Sequence, residues 1–349
     1  MSGASTVDSS AGRERLSAMG RVWLFAALVS AVMTMPGCDR AGSPSAAASR
    51  ETVVLAVTPY AGATPAFVAI ARGYFEREGL TVTVQHHSSG KEALDAVLAG
   101  KADIATVAEL PVALAAVQGH VVTVLATLST QSDHAIVART DHGIGSPEAL
   151  RGKRIGVSAG TSGDFVLDVL LVRSRLSRAD VQVVDLKPRE LADALARGEV
   201  DAIATWEPHV ADARQRLGDR AAVFPSEGVY DSSFNLASQR DFALQRGEAV
   251  RRVLRALLLA EDLLKHDRAA CVGIVAQVLQ KPPEEIRELL SRSRFALSLD
   301  QHLLVVLEDE ARWAMKNRVV DGTQSPNFLD VAHVSGLVAV KPRAVTIIR

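Results

Sequence analysis

Sliding the chain along itself by 98 residues lays 91–109 on 189–207 without a gap and matches six of 19 positions. The matches are Glu92 with Glu190, Asp95 with Asp193, Ala96 with Ala194, Gly100 with Gly198, Asp103 with Asp201 and Glu109 with Glu207. Each copy reads as a helix, a stop and a strand. Glycine takes the left-handed conformation at a helix C-terminus without a Cβ clash, so Gly100 and Gly198 end the helices and Asp103 and Asp201 open the strands. Common stop signals alone would also produce some of this likeness. Taken as a structural repeat, the copies are equivalent parts of two similar α/β lobes. Ligands of open parallel sheets sit beyond the carboxyl ends of the strands, which is where Glu109 and Glu207 fall, and the two are expected to face one shared cleft.

The alternation extends well beyond the repeat. Strands are predicted at 53–57, 81–86, 103–107, 121–127, 134–138, 154–157, 181–185 and 201–205. Thr64-Pro65 supplies an N-cap and a proline at the first helical position for a helix reaching about Glu78. Strands separated by helices mean parallel sheets covered on both faces. From Gly247 onward, apolar positions at helical spacing dominate 250–264, 270–279 and 303–315.

The N-terminus has a different plan. Arg13, Arg15 and Arg21 precede an uncharged apolar run over 22–35, too short for a comfortable membrane span and built like an export signal. The following Met35-Pro36-Gly37-Cys38 resembles a bacterial lipobox, which implies a signal peptide over 1–37 and a lipid on Cys38. An ordinary secretory signal with an incidental cysteine is the alternative. Asp39 resembles the inner-membrane retention signal of enteric lipoproteins. Residues up to 50, rich in Ser, Ala, Gly and Pro, read as a flexible tether over 38–50. The folded part is expected from about Glu51, outside the cytoplasmic membrane.

Composition excludes several functions. Lys and Arg number 39 against 40 Asp and Glu, with no sustained basic stripe, which removes the footprint of nucleic-acid binding. Two cysteines cannot build a disulfide framework or a Cys-rich zinc site, and Cys271, in an apolar helical run, reads as a core thiol. His86 and His87 point to opposite faces of a strand. No metal site and no cofactor are expected. Nine Phe, three Trp and three Tyr are too few for stacked sugar platforms.

Several motifs together resemble the solute-binding proteins of ABC importers. They are Thr58-Pro59-Tyr60, Gly73-Tyr74-Phe75-Glu76-Arg77-Glu78-Gly79-Leu80, Ser88-Ser89-Gly90, Gly100-Lys101-Ala102-Asp103, Leu150-Arg151-Gly152-Lys153-Arg154-Ile155-Gly156-Val157, Gly160-Thr161 and Asp201-Ala202-Ile203-Ala204-Thr205-Trp206-Glu207-Pro208. More narrowly, the chain resembles the nitrate/sulfonate/taurine branch. The resemblance implies a two-lobe α/β periplasmic-binding-protein fold of type II, each lobe a mostly parallel sheet flanked by helices, with a helical C-terminal region. Lobe 1 would take 51–135 and 237–349 and lobe 2 136–236, with crossings at 133–139 and 232–238.

It further implies a monomeric, non-enzymatic, lipid-anchored protein on the periplasmic face of the inner membrane. Such a protein captures a small polar solute of the sulfonate, taurine or nitrate class by lobe closure and passes it to permease and ATPase subunits. The alternatives are a binder of a thiamine-pyrimidine-like precursor and an enzyme on the same fold. The export signal and the lack of a recognisable nucleophile–base pairing oppose the enzyme.

Candidate contacts divide by charge. Thr161 and Ser162, before a helix near Asp164, and Ser89 and Gly90, before the next helix from Lys91, offer hydroxyls and free N–H groups to an anionic group. Each also reads as an ordinary cap, and Asp164 equally reads as an acid stabilising a helix start. Glu109 and Glu207 suggest an amine or amidine on the ligand, unless solvated or paired with local arginines. Trp206 is a candidate wall or a core residue. Tyr60 and Thr64 belong to the first strand–helix loop. A zwitterion such as an aminosulfonate, or a heterocycle with an exocyclic amine, satisfies both charge signs.

Replacing Cys38→Ala is expected to abolish an N-terminal lipid mass and to release or stall the protein. A native protein that begins elsewhere and carries no lipid contradicts the anchor; intact-mass spectrometry decides.

Overall fold

The structure, a computed structural model, describes residues 50–322 and 324–348. The apolar run over 22–35 and Cys38 lie outside them. The strands are β1 (Glu51–Val57), β2 (Leu80–His86), β3 (Ile104–Ala108), β4 (Val122–Gln131), β5 (His134–Arg139), β6 (Arg154–Val157), β7 (Gln182–Asp185), β8 (Ala202–Trp206), β9 (Ala221–Pro225), β10 (Ser232–Gln239) and β11 (Ser293–Ser298). They form two sheets, β11-β4-β10-β3-β1-β2 and β7-β6-β8-β5-β9.

Each sheet contains a parallel trio, β2-β1-β3 in one and β7-β6-β8 in the other. Beside β3 runs antiparallel β10, and beside β8 runs antiparallel β5. These two strands are exchanged along the chain: β5 follows β4 of the first sheet, and β10 follows β9 of the second. The expected crossing segments are therefore whole strands of a single sheet. β5 pairs on both sides, with β8 and β9, and β10 with β3 and β4. The links themselves are 132–133 and 226–231, joined where the Ser132 hydroxyl donates to Asp231.

The sequence repeat has a physical counterpart. Helices Gly90–Leu98 and Pro188–Arg197 are followed by Gly100 at φ 69° and Gly198 at φ 75°. The N–H groups of Lys101 and Glu199 then reach back to the carbonyls of Ala96 and Ala194, at 2.8 and 2.9 Å. Asp103 accepts the Val54 N–H at 2.7 Å and donates its own N–H to the Val54 carbonyl at 2.9 Å. Asp201 does the same to Arg154, at 2.8 Å in both directions. Each aspartate thus clamps the third strand of its trio to the first, and the register follows, with Leu55 opposite Ile104 and Ile155 opposite Ala202. Asp201 also holds the Arg154 guanidinium and His142. Burial opposes its ionisation, but the hydrogen bonds from Arg154 and His142 outweigh burial and keep its carboxyl well below the usual range.

The first helix departs from expectation. A tight turn, Ala61–Ala63, precedes helix Thr64–Ala71, and the chain breaks at Gly73 before a short helix, Tyr74–Arg77. The Thr64 hydroxyl donates to the Ala61 carbonyl at 2.6 Å and closes the turn instead of capping the helix.

The C-terminal helices complete the first core. Leu254 and Leu257 of Gly247–His266, Cys271 of Ala269–Leu279 and Leu307 of Gln301–Lys316 are buried with Leu55, Phe67 and Leu125. On the second sheet the period of two along β5 sends Ile136 to one core, with Ile155 and Val166, and Val137 to the other, with Leu191 and Ile203. Among the described residues, no helix is long and apolar enough to cross a membrane.

Asp201→Ala is expected to destabilise the protein by about 1.5–3 kcal/mol, the range for hydrogen bonds to a charged group, and Asp103→Ala by less, because Asp103 holds no guanidinium. Urea unfolding measures both. Since the folded Asp201 carboxyl is depressed, its contribution is present above the unfolded carboxyl pKa and is lost as pH falls. The gap between wild type and Asp201→Asn should therefore narrow between about pH 5 and pH 2.

Candidate functional site

A cavity of about 280 Å³ opens between the carboxyl ends of the two parallel trios. From the first sheet come Thr58-Pro59-Tyr60 after β1, Ser88 to Lys91 after β2, Ala108 at the end of β3, and Ser232 and Phe234 on β10. From the second come Thr161 and Ser162 after β6, Pro188 and Arg189 after β7, Trp206 at the end of β8, and His134 on β5. His209, Asp212, Leu279 and Lys281 also line it. Two repeat-related pairs lie here together, Lys91 with Arg189 and Ala108 with Trp206, and Gly90 and Pro188, the residues just before each copy, join them.

Of the residues singled out from sequence, Tyr60, Ser89, Gly90, Thr161, Ser162 and Trp206 line this cavity, whereas Thr64, Glu109, Asp164 and Glu207 do not. Thr64 is wholly buried under the turn it closes. Asp164 is committed to the strand–helix turn, accepting the Gly160 N–H at 3.0 Å and the Arg178 guanidinium at 2.6 Å.

The glutamates part company with their expected role. Ala108 and Trp206 are the last strand residues and take the cleft-facing positions; the residue after each has already turned the corner. Glu109 opens helix Glu109–Val117 and is wholly buried against β10. One of its oxygens accepts the Ser233 N–H at 2.9 Å and the Ser233 hydroxyl at 3.1 Å, and the other accepts the Tyr230 hydroxyl, which lies 3.3 Å from Glu310. Among the described residues neither Glu109 nor Glu310 has a basic partner. Burial drives Glu109 up to about 8, aided by the charge of Asp133, and pushes buried Glu310 well above the carboxylate range. Glu207 accepts the Ala211 N–H at 3.0 Å and lines a separate hollow of about 80 Å³ with Arg214 and Arg292. Burial raises its pKa.

Two helix starts converge on the cavity, Gly90–Leu98 and Ser162–Arg173. Ser89 caps the first, its hydroxyl oxygen accepting the Glu92 N–H at 3.2 Å. A Cβ on Gly90 would sit 3.0 Å from Val107 Cα, so glycine is what lets this helix begin against β3. At the second, Thr161 spends its hydroxyl on the Ser158 carbonyl at 2.7 Å. Ser162 is different: 3% exposed, with an Oγ that has no hydrogen-bond partner. First-turn N–H groups lack intrahelical acceptors and carry the positive end of the helix dipole. A buried hydroxyl left unpaired beside them makes a place for an anionic oxygen.

The rest of the wall is largely apolar. Trp206 is half-buried, its ring 6.1 Å from that of His134 and 5.7 Å from that of His209. Burial lowers the His209 pKa, so the ring is neutral at pH 7. Tyr60 packs edge-on to Phe234 at 4.6 Å and donates its hydroxyl to Asp133 at 2.7 Å. Asp212 is ion-paired with Lys281. Beside the cavity the second sheet's helix Ser162–Arg173 meets the first sheet's helix Gln301–Lys316: the Trp313 indole donates to Asp168 at 2.7 Å and packs on Phe165 at 5.3 Å.

Sequence reasoning missed Lys91, Arg189, His134, His209, Phe234 and Lys281 as lining residues. Lys91 and Arg189 are aligned in the repeat and could have been found there. His134 and Phe234 stand opposite Trp206 and Ala108 across antiparallel pairs, a register that sequence alone does not supply.

Comparison with known proteins follows this geometry. Residues 61–270 match the family described as NMT1/THI5 like. The putative aliphatic sulfonates-binding protein of Bacillus subtilis (strain 168) is 26% identical over 234 residues, 65% of this chain and 70% of its own length. The taurine-binding periplasmic protein of Escherichia coli (strain K12) is 31% identical over 163 residues, 46% of this chain and 50% of its own. Among solved structures, the alkanesulfonate-binding protein SsuA from Xanthomonas axonopodis pv. citri, bound to MOPS, gives a TM-score of 0.73 at 22% identity, covering 82% of this chain and 99% of that one. The desulfurization enzyme DSZB gives 0.64 at 18%, covering 84% and 99%. The architecture is the two-lobe periplasmic-binding-protein fold.

The raised carboxyl pKa values have a measurable consequence. A folded pKa above the unfolded one contributes stability that is fully present below the unfolded value and is lost as pH rises through the folded value. For Glu109 the window runs from about 4.5 to about 8. Wild type should lose thermal stability across that window, and Glu109→Gln should lose less. Parallel melting curves would contradict the neutral carboxyl pair.

Proposed function

The chain belongs to the NMT1/THI5-like family, and from that premise we propose that it is the solute-binding component of an importer, capturing a small sulfonate-type anion outside the cytoplasmic membrane. The observation that carries this reading is the unpartnered, buried Ser162 hydroxyl at the start of Ser162–Arg173, lining a cavity whose opposite wall holds the start of Gly90–Leu98. Ser162 and the N–H groups of its helix take the anionic head. Ser89 and Gly90 of the other lobe approach the same solute, beside Lys91 and Arg189, which are ion-paired with Asp95 and Glu190. Thr161 shapes the turn, and Tyr60 and Trp206 form walls.

A solute touching both lobes binds the closed state better than the open one and shifts the population toward closure. The protein acts as a monomer, held at the periplasmic face of the inner membrane by lipid on Cys38, and passes the solute unchanged to permease and ATPase subunits. The sulfonate- and taurine-binding relatives support this assignment.

Titration calorimetry with ethanesulfonate tests it. Ser162→Ala should weaken binding by about 1.5–3 kcal/mol, the range for a hydrogen bond to a charged group, with little change in melting temperature. Unaltered affinity would move the site away from this helix start. Solute released from the complex should have its original mass; a product of different mass would make the protein an enzyme.

A further inference from the structure

We infer that the solute is an organic sulfonate-type anion with a flat apolar body and no ammonium group. This rests on the solute-binding reading above and narrows it. The charged side chains on the cavity wall are Lys91, Arg189, Lys281 and Asp212. Asp212, the lone acid among them, is already ion-paired with Lys281. Asp133, behind Tyr60, accepts the Tyr60 hydroxyl at 2.7 Å and lies 3.0 Å from His134 Nδ1. Glu109 and Glu207 face Ser233 and Ala211. An arriving ammonium group would lose water and find on the cavity wall no carboxylate other than Asp212, which Lys281 already holds. Burying a charge without a partner is strongly unfavourable. Lys91 and Arg189 have partners of their own, Asp95 at 2.9 Å and Glu190 at 3.9 Å, so the wall carries no bare charge of either sign and the anion's anchor is the helix start at Ser162.

The body of the solute follows from the walls. Trp206, His134 and His209 form a cluster of rings, and Phe234 lies opposite on β10. His209 adds an aromatic face without charge, since burial keeps it neutral. Leu279 and Pro208 extend the apolar lining. A volume of about 280 Å³ lies near the lower end of pockets that hold drug-sized ligands, which suits a ring better than a two-carbon chain. The head has its own anchor in Ser162, 3% exposed and unpartnered. Ring and head therefore have separate holders, and neither calls for an amine.

The test compares three probes by calorimetry on the purified protein at pH 7: ethanesulfonate, taurine and benzenesulfonate. Taurine is ethanesulfonate carrying an ammonium group, so that pair isolates the amine. Ethanesulfonate should bind at least tenfold more tightly than taurine, and benzenesulfonate at least tenfold more tightly than ethanesulfonate. Trp206→Ala should erase most of the benzenesulfonate preference while changing ethanesulfonate affinity less than threefold; Trp206→Leu serves if the alanine variant does not fold. Taurine binding as tightly as ethanesulfonate, or benzenesulfonate binding no better, would overturn this inference and leave the sulfonate reading standing. Failure of all three to bind folded protein would overturn both.

Discussion

Each sheet completes itself with a strand contributed by the chain as it arrives from the other. β5 enters the second sheet directly after β4 leaves the first, and β10 returns the exchange. Both strands pair on two sides and are almost wholly buried, so neither can be withdrawn without exposing a sheet interior. With links of only 132–133 and 226–231, the carboxyl ends of the parallel trios are brought to face each other. The cavity is the consequence: loops after β1, β2 and β3 on one side meet loops after β6, β7 and β8 on the other. Helix starts, with their unpaired N–H groups, are concentrated there by the same topology.

Much of this was legible in the repeat. Gly100 and Gly198 stop equivalent helices, and Asp103 and Asp201 make the same two-bond clamp to the first strand of their trios. The repeat does reach the cleft, but through Lys91 and Arg189 and through Ala108 and Trp206 instead of the glutamates expected there. One residue separates the two outcomes. A strand's last residue still faces the cleft; the next begins a helix or its cap and is rotated away, which is how Glu109 came to β10 and Glu207 to the Ala211 N–H. Contacts made across register, such as Trp206 with His134, or from the distant C-terminal region, such as Lys281, have no local signature in the sequence.

The lobes also meet outside the cavity, through hydrogen bonds in which the acidic groups gain no basic partner across the junction. Tyr230, in the link before β10, donates to Glu109 and lies within reach of Glu310, both buried and shifted toward the neutral form. Trp313 donates to Asp168 from the neighbouring turn of the Glu310 helix. Neutral carboxyl groups can accept burial that a carboxylate would resist. Glu109 and Glu310 therefore add no negative charge at the junction beside the cavity, which suits the anion proposed for the helix start at Ser162.

That occupant can be located directly. A crystal structure of the protein grown with 4-bromobenzenesulfonate, phased for anomalous scattering, fixes the head by its sulfur and the ring by its bromine. The account predicts a sulfonate oxygen within hydrogen-bond distance of Ser162 Oγ and the ring against Trp206. Sulfur beside Glu207, Arg214 and Arg292 in the smaller hollow, or bromine at the helix start with the head against Lys281, would contradict it.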